Sequence, residues 1–349
     1  MTAQAAQDQP TFAPARLLLL GGIGVALAAV AWLAGGAALE TWLFSFVVLA
    51  GLVVGSLGLL MIGHLMNEEW LRPIRSEAEA AALTTALLPI LALPLAFRLP
   101  DLYPWASADA IELPHPRAAF LSPIPFLARG GSYLAVWIAL GLWLVLTRRP
   151  ERASAIGLAL LAPTATFAAN DWVLSREPQW WSSLFGFSFV LSQLLGALAG
   201  AILISLLRPE HPTAARMQSL ERALLTLALL VLWVWFVHFL IVWLANLPHE
   251  AAWYLQRAQA PWFQLLILVA IPALVAAIAI LAPPGFGRRT MIAGSALLLI
   301  HHAAHMIWLI RPEPSRAYPW SVVLALGLFL AWGALFAAAL RTRPHDEAD

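Results

Sequence analysis

The residues best equipped for chemistry in this chain are few, and nearly all lie inside or at the ends of long apolar runs. Asp171 follows one run, His238 lies within another, and His301, His302 and His305 fall inside a third. An ionisable side chain at membrane depth is costly to bury, so each is a functional candidate. The chemistry they suit is proton handling. Imidazole passes protons both ways near neutrality, and a carboxylate or imidazole can accept a hydroxyl proton. The i to i+4 spacing puts His301 and His305 on one helical face, with His302 turned to its side. A proton relay, a metal site and a b-type haem site are all open to such a trio. His238 could supply a second axial haem ligand, although the paired histidines of two-haem cytochromes are missing.

Each candidate has a plainer reading. The stretch Asp171–Gly186 reads as an interfacial turn, with Pro178 as helix starter and Trp180 and Trp181 in an aromatic belt. A single His238 reads as a core histidine bonded to a carbonyl. His64, Asn67, Glu68 and Glu69 precede Arg72 and Arg75. They form either the entrance of a proton path, with His64 one turn deeper than Glu68, or a solvated helix end. In the second case a Glu68–Arg72 pair contributes a few tenths of a kcal/mol.

The elements that must position these groups are membrane helices. Crossing about 30 Å of hydrocarbon takes about 20 mostly apolar residues. Such runs stand at 17–35, 42–66, 82–98, 127–147, 152–170, 180–207, 220–246, 262–282, 290–310 and 319–339. Their length and Leu/Ala content predict helices rather than barrel strands. With 61% hydrophobic residues and a mean hydropathy of +0.80, no stretch remains for a soluble domain. The expected fold is all-α and polytopic, with ten transmembrane helices. The first sixteen residues lack the basic start and cleavage site of a signal peptide, so the first run is expected to be a retained helix.

The charge pattern sets orientation and excludes partners. All twenty basic residues are arginine. Ten spans put both termini on one face, which carries thirteen arginines against seven on the other. That bias places the termini in the cytoplasm and the long 99–126 loop outside. A net charge of +1 gives no argument for nucleic acid. Without cysteine the chain cannot hold a thiolate-ligated Fe–S cluster or a c-type haem attached through C-x-x-C-H. Such centres would sit on partners.

Phe44-Ser45-Phe46-Val47 recurs 143 residues later as Phe187-Ser188-Phe189-Val190. Leu99-Pro100 with Trp105 is echoed by Leu247-Pro248 with Trp253. Both echoes run the same way through the membrane and suggest two parallel bundles. The organisation expected is a tail at 1–16, a flanking helix and loop at 17–41, bundles at 42–170 and 171–310, and a last flanking helix and tail at 311–349. Pro89, Pro94, Pro163 and Pro272 fall inside runs and can kink them.

The stretch Asp171-Trp172-Val173-Leu174-Ser175-Arg176-Glu177-Pro178-Gln179-Trp180-Trp181-Ser182-Ser183-Leu184-Phe185-Gly186 resembles the D-W-x-M-S-x-x-P-x-W-x-S-T-x-F-G segment of NrfD-like (polysulfide reductase-type) membrane subunits. Leu174 stands for Met and Ser183 for Thr. Leu121–Arg129 and Trp235–Pro248 look like the same family, in particular its ActF-type, second quinone-binding-type subunits of alternative complex III. An acidic residue is usual there near the position of His305. The resemblance implies two four-helix bundles in a bacterial inner-membrane quinol:cytochrome c oxidoreductase, beside a second NrfD-like subunit and partners carrying Fe–S and c-type haem centres. By their own chemistry and placement, Asp171, His238, His301 and His305 are the residues expected to handle protons, with His64, Glu68, Glu69 and His302 on the path. Trp180, Trp181 and Phe185 would wall a quinone slot. No metal, haem or Fe–S centre is expected in this chain, which is not expected to act alone. A structural anchor and a self-contained transporter are the alternatives.

Overall fold

The computed structural model describes residues 14–34, 38–66, 70–107, 112–147, 149–208, 214–259, 262–283, 285, 287–310 and 319–343. Ten helices among them are long and apolar enough to cross a membrane. They are α1 (Pro14–Leu33), α2 (Leu39–Met66), α3 (Arg72–Phe97), α4 (Pro123–Leu146), α5 (Pro150–Arg176), α6 (Phe185–Leu207), α7 (Met217–Ala245), α8 (Trp262–Leu281), α9 (Arg288–Ile310) and α10 (Pro319–Arg341). The chain is an all-α, multi-pass membrane protein. Lipid offers backbone groups no partners, so each span satisfies its own within a helix.

The helices close into two rings. In the first, α2 packs on α3 and α5, and α4 packs on both of those. In the second, α6 packs on α7 and α9, and α8 packs on both of those. The rings join along α2 and α6, the most enclosed helices. These carry the repeated Phe-Ser-Phe-Val motifs. Ser45 and Ser188 are both fully buried, and each donates to the carbonyl four residues earlier, Thr41 and Leu184, at 2.8 and 2.9 Å. Close approach of the pair depends on Gly55, where a Cβ would lie 2.4 Å from the Gln193 carbonyl. Small residues at such crossings let helix backbones meet. Helices α1 and α10 pair with each other and lean on α2 and α3.

Two helix starts differ from expectation by five residues or more. The third span begins at Arg72 rather than 82, because Glu77, buried, is neutralised at 2.9 Å by Arg208, the residue that follows α6. The sixth helix begins at Phe185 rather than 180, and Pro178 does not open it. Trp180 is held instead in a non-helical stretch, where its ring is buried and its Nε1 donates to the Glu250 carbonyl at 3.0 Å. Within α3, Thr84 and Thr85 donate to the Ala81 and Ala82 carbonyls at 2.6 and 2.8 Å, and the helix tightens into a 3₁₀ turn at Thr84–Leu87. Within α8 a π-helical turn, Leu266–Ala270, precedes Pro272, which has no N–H to give the ladder.

Candidate functional site

The second ring brings four of the singled-out histidines together. His301, His302 and His305 of α9 and His238 of α7 are all buried. The His301 and His305 rings stack with centroids 5.4 Å apart, as the i to i+4 spacing requires. Trp235 joins them to His238, lying 4.7 Å from the His305 ring and 5.3 Å from that of His238. Trp235 is itself fixed by donating to Ser192 at 2.8 Å.

Each ring of the trio leaves one nitrogen open in the interior. His301 Nδ1 bonds the Ala270 carbonyl at 2.9 Å, so that nitrogen carries the proton. Ala270 ends the π-helical turn, which is how the irregularity of α8 comes to serve α9. A neutral imidazole with one donor nitrogen must present the other as an acceptor, and His301 Nε2 is buried with no partner. His302 bonds the Ser192 backbone, and its Nε2 is likewise buried and open. Nδ1 of His305 is open too. The His302 ring occupies space that exists only because residue 196 is glycine, since a Cβ there would lie 2.9 Å from three ring atoms.

His238 marks the end of this array nearest the 248–258 helix. Its Nε2 shares a hydrogen bond with Ser182 Oγ at 3.0 Å, and its Nδ1 one with the Tyr254 hydroxyl at 2.5 Å. Burial pushes the Tyr254 phenol well above its usual range, so the hydroxyl stays protonated. The plainer reading of His238, a bond to a carbonyl, is replaced by these two hydroxyls. Aromatic walls enclose it. Trp180 stacks on Trp253 at 4.7 Å, and Phe185 lies 6.4 Å from the His238 ring. Beneath Trp253, Arg257 packs its guanidinium on the indole at 3.7 Å and pairs with Glu177 at 2.6 Å. Burial lowers its pKa to about 10, partly offset by Glu177, so it stays cationic at neutral pH.

Asp171 does not join the histidines; it sits at the end of α5 in the first ring. Arg129 of α4 donates to both carboxylate oxygens at 2.9 Å, and the Tyr133 hydroxyl donates to Oδ2 at 2.9 Å. Sequence reading passed over Tyr133, and noticed Arg129 only as part of a family-like stretch. The available signal was the pairing of opposite charges near the same end of adjacent apolar runs, since an isolated charge there needs a partner. Ser182, Tyr254 and Gly196 carried no such signal.

The expected quinone slot is not built as a unit. Trp180 and Phe185 line the His238 site, whereas Trp181 is half exposed and lies 5.4 Å from the Arg117 guanidinium. The crevice shared by Asp171, Trp180 and Trp181 offers about 10 Å³, the space of a single water rather than a ring. His64 stands apart on α2, with Nδ1 bonding Ser154 Oγ of α5 at 3.0 Å. Glu68 and Glu69 lie outside the described residues, and with them the expected Glu68–Arg72 pair. Among the described residues, no three His, Cys, Asp or Glu side chains are arranged to hold a metal ion.

No family model matches this chain, and no curated protein matches it.

Proposed function

We propose that this chain is a membrane subunit of a quinol-oxidising respiratory complex and that its own part is to conduct protons through the α6–α9 ring. One observation carries the reading: four buried imidazoles converge there, and three of them present an unpartnered nitrogen. A proton taken on an open nitrogen converts a ring to imidazolium, and the proton then leaves from that nitrogen or, once the donor bond breaks, from the opposite one. The order His301, His305, His238, Tyr254 follows the ring contacts and hydrogen bonds given above, with the Trp235 ring standing between His305 and His238. His302 borders the first two.

The complex itself is proposed from the resemblance of residues 171–186 to NrfD-like subunits. On that reading Fe–S and c-type haem centres belong to partners, with a second NrfD-like subunit alongside. The chain would lie in a bacterial inner membrane with cytoplasmic termini, as the arginine distribution favours. The proton steps use this chain's own imidazoles and hydroxyls, and none of them passes through quinone.

The test uses the intact complex in vesicles, with His301→Asn and His305→Asn. Asparagine at 301 can still donate to the Ala270 carbonyl but cannot carry a proton. Quinol-driven proton release should fall while subunit content and melting temperature stay unchanged. Unchanged proton release in both variants would leave a structural anchor, the reading favoured by the bidentate Asp171–Arg129 pair.

A further inference from the structure

Helix α8 has the highest hydropathy of the ten spans and contains no ionisable side chain. It packs along α9, the helix that bears the histidine trio. What it offers an imidazole there is backbone. In a regular α-helix that offer is small, because each carbonyl points along the axis to the N–H four residues on. At Leu266–Ala270 the pattern changes, and the Ile271 N–H bonds the Leu266 carbonyl five residues back. A turn of this width tilts its carbonyls away from the axis. Pro272 then brings no N–H with which an α-turn could close on the Leu268 carbonyl.

Ala270 ends the turn, is fully buried, and accepts a hydrogen bond from His301 Nδ1 at 2.9 Å. A carbonyl has two lone pairs, so this bond adds to the helix ladder without displacing it. A carbonyl also only accepts. While the bond stands, Nδ1 holds a proton and the free lone pair of the neutral ring is on Nε2. That nitrogen is buried without a partner, in a ring stacked on His305.

We propose that the π-turn of α8 is the positioning element that holds His301 in a single tautomer, protonated at Nδ1 and open at Nε2, so that this ring exchanges protons through Nε2 alone. His301 is then a one-sided proton store at the start of the array, and not a ring that protons cross from one nitrogen to the other. The proton part of the inference rests on the conducting reading given above; the tautomer does not.

The experiment is solid-state NMR of the imidazole nitrogens on the full chain, isotope-labelled at histidine and reconstituted in lipid with whatever subunits accompany it. The signals lost in His301→Asn assign the ring. Wild type should show His301 as one neutral tautomer, protonated at Nδ1 and bare at Nε2. A π-turn holds one residue more than the α-turn it replaces. Deletion of Leu268, which is 71% exposed, should therefore restore α-helical register, withdraw the Ala270 carbonyl and divide His301 between both tautomers. Pro272 is exposed as well, and Pro272→Ala returns an N–H to the ladder. It should divide the signal to a smaller extent, and it decides the matter where the deletion does not assemble. A wild-type His301 protonated at Nε2, or already divided between tautomers, would overturn the proposal, as would a single unchanged tautomer in the variants. The tautomer is read in the resting protein, whereas the conducting reading stands or falls on proton release in vesicles, so the two failures are separate results.

Discussion

Arg129 grips both oxygens of Asp171, Nε to Oδ2 and Nη2 to Oδ1, each at 2.9 Å. With the Tyr133 hydroxyl as third donor, the carboxylate's partners are all supplied by the protein. Such a fork is among the strongest side-chain contacts, and it fixes orientation as well as charge. The geometry therefore suits a pin between α4 and α5 better than a resting proton acceptor.

Removing one partner of that pin leaves a buried charge alone, which costs about 3–5 kcal/mol, whereas replacing both with apolar groups is close to neutral. Arg129→Met strands the buried Asp171 carboxylate and should lower the melting temperature sharply, and adding Asp171→Leu should recover most of the loss. Asp171→Asn in the assembled complex should retain quinol oxidation. Loss of turnover with all subunits and haem present would restore Asp171 as an acceptor.

Gly196→Ala tests the packing of His302. Its Cβ would enter the ring at 2.9 Å, where the imidazole is fully enclosed and has no free direction of retreat. Overpacking of this kind costs about 1–3 kcal/mol. The expected result is a lower melting temperature together with reduced proton release, and Gly200→Ala, with only one atom at 3.9 Å, should leave both unchanged. Equal effects at the two glycines would show that His302 is not the group displaced.

Hydropathy made the spans legible because one physical requirement, a continuous apolar run, defines both the sequence pattern and the helix. The Phe-Ser-Phe-Val echo was legible for a related reason: Ser45 and Ser188 hold equivalent places on the two joining helices. The start of α3 was hidden because Glu77 and Glu79 stand before the apolar run and break its hydropathy, and only Arg208, far along the chain, makes burial of Glu77 possible. Periodicity brought His301 to His305, yet it could not bring either to His238 or separate Asp171 from all of them. That depends on which helices are neighbours. The π-helical turn that offers Ala270 to His301 left only Pro272 as its trace, and proline is frequent in membrane helices of every kind.

Tyr254→Phe should separate the two hydroxyls on His238. The phenol is buried and stays protonated, so its loss removes a hydrogen bond and leaves Nδ1 facing a ring edge. A stability cost of about 1 kcal/mol follows from one lost bond. Proton release should slow if Tyr254 is the exit, and Ser182→Ala should then have the smaller effect. The reverse ranking would put the exit on the Ser182 side.

Orientation can be read directly because the chain has no cysteine of its own. Thr342 and Gln179 are both exposed, one after the last span and the other between α5 and α6. An odd number of crossings separates them, since α6 to α10 lie between. Single variants Thr342→Cys and Gln179→Cys in sealed cells should therefore react with an impermeant thiol reagent from opposite sides. The excess of arginine on the face bearing the termini predicts that Gln179→Cys is labelled from outside and Thr342→Cys only after the membrane is opened. Labelling of both from outside would break the ten-span topology. The reverse pattern would keep the fold, invert the membrane orientation, and send the His238–Tyr254 end of the proposed proton route toward the cytoplasm.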